Sequence, residues 1–160
     1  MLRGALAGVV AAAAWGALEP LAQRAFRVPY SDIRLLGRVA TSGEGWKAAG
    51  WAVHLGNGAL FGAAFERLGG RGPTRAVVAA QVENVVLWVP GMALVDRFHP
   101  DRRSGAWPPL LRNPRVFAYE MFTHAVFGLV LGALTGPGMP GPYSSENDRE
   151  EACSHFVNGV

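Results

Sequence analysis

Four stretches of the chain are dominated by apolar and small residues, at about 4–22, 48–65, 76–95 and 116–135, and most of the charge lies between them. Each is 18 to 20 residues long, enough for a helix to cross a hydrocarbon core of roughly 30 Å. Charged residues close the second and third runs, as Glu66-Arg67 and Asp96-Arg97. Pro90 lies within the third run and predicts a kink there. The first run is interrupted late by Glu19 and Pro20 and continues to Phe26 as an amphipathic helix. That continuation favours a span over the competing reading, a cleaved signal peptide. The expected fold is therefore all-α, an integral membrane four-helix bundle in residues 1–136, followed by a disordered polar tail at 137–160.

A finer pattern runs inside the second and fourth stretches. His54-Leu-Gly-Asn-Gly58-Ala-Leu-Phe-Gly62 and His124-Ala-Val-Phe-Gly128-Leu-Val-Leu-Gly132 both read H-x-x-x-G-x-x-x-G. Residues four apart share a helix face, so each stretch carries one glycine-lined face headed by a histidine. Gly4, Gly8 and Gly16, with Ala12 between them, make a similar stripe on the first run. Such faces let helices approach closely and are candidates for packing within the chain or for a homodimer. The two histidines are 70 residues apart, and the apolar runs from Arg3 to Phe26 and from Arg75 to Phe98 start 72 apart. These offsets suggest a duplicated helical hairpin, with the second and fourth helices equivalent and their histidines facing one another.

The connections have their own signals. Ser31 is placed to cap a short helix starting at Asp32, whose Ile33, Leu35, Leu36 and Val39 are expected to face the bilayer surface. Residues 69–73, Gly-Gly-Arg-Gly-Pro, form a tight turn. Residues 100–115 read as a loop rich in proline and arginine, with His99 a loop residue and Trp107 an interfacial anchor.

Composition supports the membrane reading. The chain is 50% hydrophobic and 17% charged, against about 25% charged in soluble domains. Its mean hydropathy of +0.16 is lowered by the loops and the tail. A soluble four-helix bundle would need polar stripes along every helix, and the first, second and fourth runs have none. The formal charge is +3, but the arginines flank the apolar runs, which points to lipid headgroups and away from nucleic acid. With four spans, one side holds Arg3, Arg67, Arg71, Arg75 and Arg149, and the other holds the remaining ten basic residues. The positive-inside rule puts the ten in the cytoplasm and both termini outside, across the plasma membrane.

The candidate polar centre is His54, Asn57, Glu83, Asn84, Glu120 and His124. An ionisable group inside a span costs about 2.5–3.5 kcal/mol on insertion scales, so each invites explanation. The favoured reading is structural and non-enzymatic, with these groups as satisfied helix-packing elements. Two alternatives stay open. In one, His54 and His124 ligate a haem iron, or join Glu120 around a divalent metal. In the other, Glu83 and its neighbours serve a small proton-coupled carrier acting as a dimer. There is no phosphate-binding loop, no dinucleotide fingerprint and no nucleophile–base set. Cys153 is the single cysteine, which excludes an intrachain disulfide.

Several segments together carry a resemblance: Trp15-Gly-Ala-Leu-Glu19-Pro20-Leu, Tyr30-Ser-Asp32, His54-x-x-Asn57-Gly58-x-x-x-Gly62, Asp96-Arg97-x-His99-Pro100 and Asn113-Pro114-Arg115. The chain resembles the uncharacterised small membrane proteins of high-GC, actinobacterial-type bacteria over most of residues 3–136. The resemblance implies a four-span membrane protein and nothing about mechanism.

Overall fold

The computed structural model describes residues 1–136, and the expected tail, with Cys153, lies outside them. These residues form six helices in the order α1 Leu2–Phe26, α2 Asp32–Ala40, α3 Trp46–Arg67, α4 Pro73–Phe98, α5 Pro100–Arg103 and α6 Pro114–Thr135. Helices α1, α4 and α6 are long and apolar enough to cross a membrane. Helix α3 has the length, at 22 residues, but Lys47, His54, Asn57 and four glycines keep its apolarity below theirs.

The long helices alternate in direction. Gly4 of α1 meets Gly62 of α3, Gly8 meets Gly58, and Gly16 meets the Trp51 ring, so α1 and α3 are antiparallel. On the other flank Gly128 of α6 meets Val77 of α4, and Gly132 meets Pro73. Between these pairs α1 packs on α6: Arg3 donates to the Leu134 carbonyl at 2.9 Å, and the Tyr119 hydroxyl donates to Glu19 Oε1 at 3.1 Å. The spatial order is thus α3, α1, α6, α4. Six of the seven glycines singled out above touch backbone or proline atoms of a neighbouring helix, where any Cβ would collide. These faces are filled within the chain.

Local chemistry places the ends. Arg27 takes a left-handed conformation with φ 55, and the Arg27 and Val28 amides donate back to the Arg24 and Gln23 carbonyls, which closes α1. Ser31 caps α2 by accepting from the Arg34 amide at 3.0 Å. Asn113 caps α6 through the Arg115 and Val116 amides. Gly69 and Gly72 both need positive φ, 75 and 79, in the turn before α4.

The region of α2 and α5 departs from expectation in three respects. Helix α2 does not lie on the bilayer surface with its apolar face outward. Ile33 is buried where Gly16 and Gly50 leave room, Leu35 and Leu36 line an internal cavity, and Val39 alone of the four is exposed. The 100–115 segment is not all loop, since Pro100–Arg103 form α5, capped by His99 accepting from the Asp101 amide. Trp107 is no interfacial anchor: it is 2% exposed, stacked on the His99 ring at 4.6 Å and packed beside Tyr30. Arg34 ties the two short helices together with a bidentate pair to Asp101, 2.8 and 2.7 Å long.

Candidate functional site

Two apolar clusters fill the molecule, one around Trp15, Phe127 and the small residues of α1, the other around Tyr30, Trp88, Trp107 and Tyr119. A cavity of about 230 Å3 lies between them, with α1 and α6 at its back, α3 and α4 as its sides and α2 closing one end. It is lined by all six residues of the expected polar centre, His54, Asn57, Glu83, Asn84, Glu120 and His124. Residues as much as 70 positions apart in the sequence are gathered there because the glycine contacts bring α3 against α1 and α6 against α4.

His124 is the hub. Its Nδ1 lies 2.8 Å from the Glu120 carbonyl, an acceptor only, so Nδ1 carries a proton and donates. Its Nε2 lies 3.3 Å from Glu83 Oε2. The two form an ion pair when the ring carries a second proton. Glu120 Oε2 is also 3.4 Å from His124 Nδ1. The other oxygen, Glu120 Oε1, is buried and has no donor, and the residue is 2% exposed.

Asp32 and Tyr30 were not expected here, and Glu19, which marks the same end of the bundle in the sequence, was left outside the polar centre. Asp32 stands beside Glu120 at the first turn of α2. Its Oδ1 accepts from the Tyr30 hydroxyl at 2.6 Å, while Oδ2 is buried without a donor. Burial raises the Asp32 carboxyl above its ordinary range and pushes the Tyr30 phenol well up. Two carboxyl groups in contact share a proton more easily than they ionise together. Glu19 anchors this end: its oxygens accept from Ser31 Oγ at 2.9 Å, the Asp32 amide at 2.6 Å and Tyr119. The signal for all three was Tyr30-Ser31-Asp32 falling so soon after an acidic residue late in an apolar run.

The structure does not arrange His54, His124 and Glu120 as a metal site. His54 Nε2 is taken by the Ala12 carbonyl at 3.1 Å, and among the described residues no three His, Cys, Asp or Glu side chains could hold a metal ion. Nor do the imidazoles face each other across an open slot. The Trp15 indole packs edge-on to both, with centroids 5.1 Å from His54 and 4.5 Å from His124. The cavity also falls below the roughly 300 Å3 at which drug-sized pockets begin, so a macrocycle has no place in it.

The arrangement can hold and pass protons. Glu83, His124, Glu120 and Asp32 are consecutive neighbours, and Glu83 is 43% exposed by its side chain. No family model, curated protein or solved structure matches this chain.

Proposed function

We propose that this chain is a four-span protein of the bacterial plasma membrane, built as two related hairpins, and that it acts as a small proton-coupled carrier. In this reading α3 is the fourth span, its polar residues turned to α1 and the cavity, and Glu83, His124, Glu120 and Asp32 are the proton path. One observation carries the reading: the His124–Glu83 pair lies on a wall of a cavity that also holds two carboxyl oxygens without donors among the described residues. Packed cores seldom leave space beside carboxyl oxygens that have no donor.

Support for the paired hairpins comes from packing. Gly58 and Gly62 meet α1 as Gly128 and Gly132 meet α4. The buried positions Gly4, Gly8, Ala12 and Gly16 of α1 match Ala76, Ala80, Asn84 and Trp88 of α4, all at the offset of 72. The basic residues place the turn at 69–73 outside the cell. Arg71→Cys in a Cys153→Ser background is then labelled in intact cells by a membrane-impermeant maleimide, and Arg38→Cys is not.

The carrier reading is tested in liposomes containing a trapped pH dye. An imposed pH gradient drives proton entry through the wild type, and Glu83→Gln and His124→Gln reduce it at least tenfold while circular dichroism is unchanged. If these variants move protons at the wild-type rate, or differ from it only in thermal stability, the centre is a packing element and the proposal fails.

A further inference from the structure

The site has an entrance between helices, and its walls have the chemistry of a cation receptor. Helices α1 and α6 close their seam along its length, but α3 and α4, on the opposite side, are not packed against one another. The cavity extends into that gap. Leu87 of α4 lines it and is 54% exposed, and Asn57 of α3 lines it from the other lip and is also exposed. In a membrane this gap faces acyl chains, not water. A route through it admits a molecule already dissolved in the bilayer.

Charge decides what such a molecule carries. Among the described residues, Asp32, Glu83 and Glu120 line the cavity, no lysine or arginine does, and the other ionisable groups there are two histidines and Tyr30. Aromatic rings surround the carboxyls, with Trp15, Tyr30 and Trp88 on the wall. Carboxylates backed by aromatic faces bind ammonium groups. A phosphate or carboxylate head would meet three carboxyls and no guanidinium. Glu120 Oε1 is fully buried beside Asp32, so this pair of carboxyls needs either a shared proton or a bound cation.

We infer that the cargo is a lipophilic amine, which enters from the bilayer between α3 and α4 and seats its ammonium group on Asp32 and Glu120. The apolar tail lies along Leu36, Leu87 and Met92 and projects toward the lipid. The ammonium and the proton shared by Asp32 and Glu120 occupy the same oxygens, so one leaves as the other binds. This assignment rests on the proton-carrier reading for its coupling, but its geometry stands on the cavity alone.

The test uses the full chain in phosphatidylcholine nanodiscs, with tryptophan fluorescence as the readout, since Trp15 and Trp88 line the cavity. Hexylamine is the probe, and hexanol and hexanoate are its neutral and anionic counterparts. Hexylamine is expected to change the fluorescence saturably, at least tenfold more tightly than hexanol, with no response to hexanoate. Asp32→Asn weakens hexylamine at least tenfold and leaves hexanol unchanged, and Gly91→Trp, which fills the mouth, abolishes the response while the helical signal is retained. Equal affinity for hexylamine and hexanol, or tighter binding of hexanoate, overturns the inference, as does no saturable response. Proton entry is measured on the same purified protein in dye-loaded liposomes containing hexylamine, with an imposed pH gradient. Proton entry without amine binding removes this inference and leaves the carrier, whereas amine binding without proton entry does the reverse.

Discussion

The seam between α1 and α3 makes a sharp prediction, because two glycines on either side of it respond oppositely to one methyl group. A Cβ added at Gly8 would lie 2.7 Å from the Gly58 carbonyl carbon and 3.2 Å from the Gly62 Cα. Carbon atoms rest about 3.5–4.0 Å apart, so Gly8→Ala drives the helices apart by roughly 1 Å. A gap of that size gives up a quarter to a half of each contact, worth about 0.1–0.2 kcal/mol when closed. Over roughly 40 atom pairs, the number one buried leucine makes, the loss comes to about 2 kcal/mol. That agrees with the usual 1–3 kcal/mol of an overpacked core. Gly56 is on α3 too, but nothing lies within 4 Å of its added Cβ. Gly56→Ala should therefore range from neutral to about 1 kcal/mol stabilising, by helix propensity. Unfolding by SDS from dodecylmaltoside micelles, followed by tryptophan fluorescence, measures both. Equal midpoints for the two variants would refute the close approach of α1 and α3.

Other expectations concern the α2–α5 region. Arg34→Ala leaves the buried Asp101 carboxylate without its bidentate partner and should cost about 2 kcal/mol in the same titration, with Arg34→Lys recovering only part. Ser31→Ala removes the cap of α2 and one donor to Glu19, costing about 1 kcal/mol and speeding hydrogen exchange at the Arg34 amide. Burial holds the His99 ring below its ordinary value of 6.5, and its Nδ1 accepts from the Asp101 amide, so the folded ring is neutral. Between its folded value and 6.5 the unfolded chain binds more protons, so stability is complete above that window and is lost as pH falls through it. The SDS midpoint should thus be lower at pH 5 than at pH 7.5, and His99→Asn should shrink the difference.

Much of the bundle was readable because its signals are periodic. A small residue every fourth position marks a face, and Gly4, Gly8, Gly58, Gly62, Gly128 and Gly132 all lie where two helices touch. Polar residues inside apolar runs are equally conspicuous, and the six that stood out line one cavity. The amphipathic pattern of α2 showed that Leu35 and Leu36 share a face, but a period cannot say whether that face meets lipid or protein. Asp32 and Tyr30 were lost with it. His99 and Trp107 escaped for a different reason: their stack depends on α5, four residues long and too short to have a period. Likewise, no pattern along one helix could reveal that Trp15 would stand between two histidines from two others.

Helix α4 borders the open seam, and its moorings determine how that seam can change width. At one end Pro73 and Val77 are locked against the glycines of α6. At the other, Asp96 accepts from the Leu110 and Leu111 amides and from Arg102, at 2.8, 3.0 and 2.8 Å. The helix is a beam clamped at both ends and supported along one side. Pro90 lies in its exposed stretch between the clamps and removes one rung of its ladder. A beam held this way does not swing like a door; it bows at its weakest section, and widening of the cleft is set by the stiffness of α4 at Pro90.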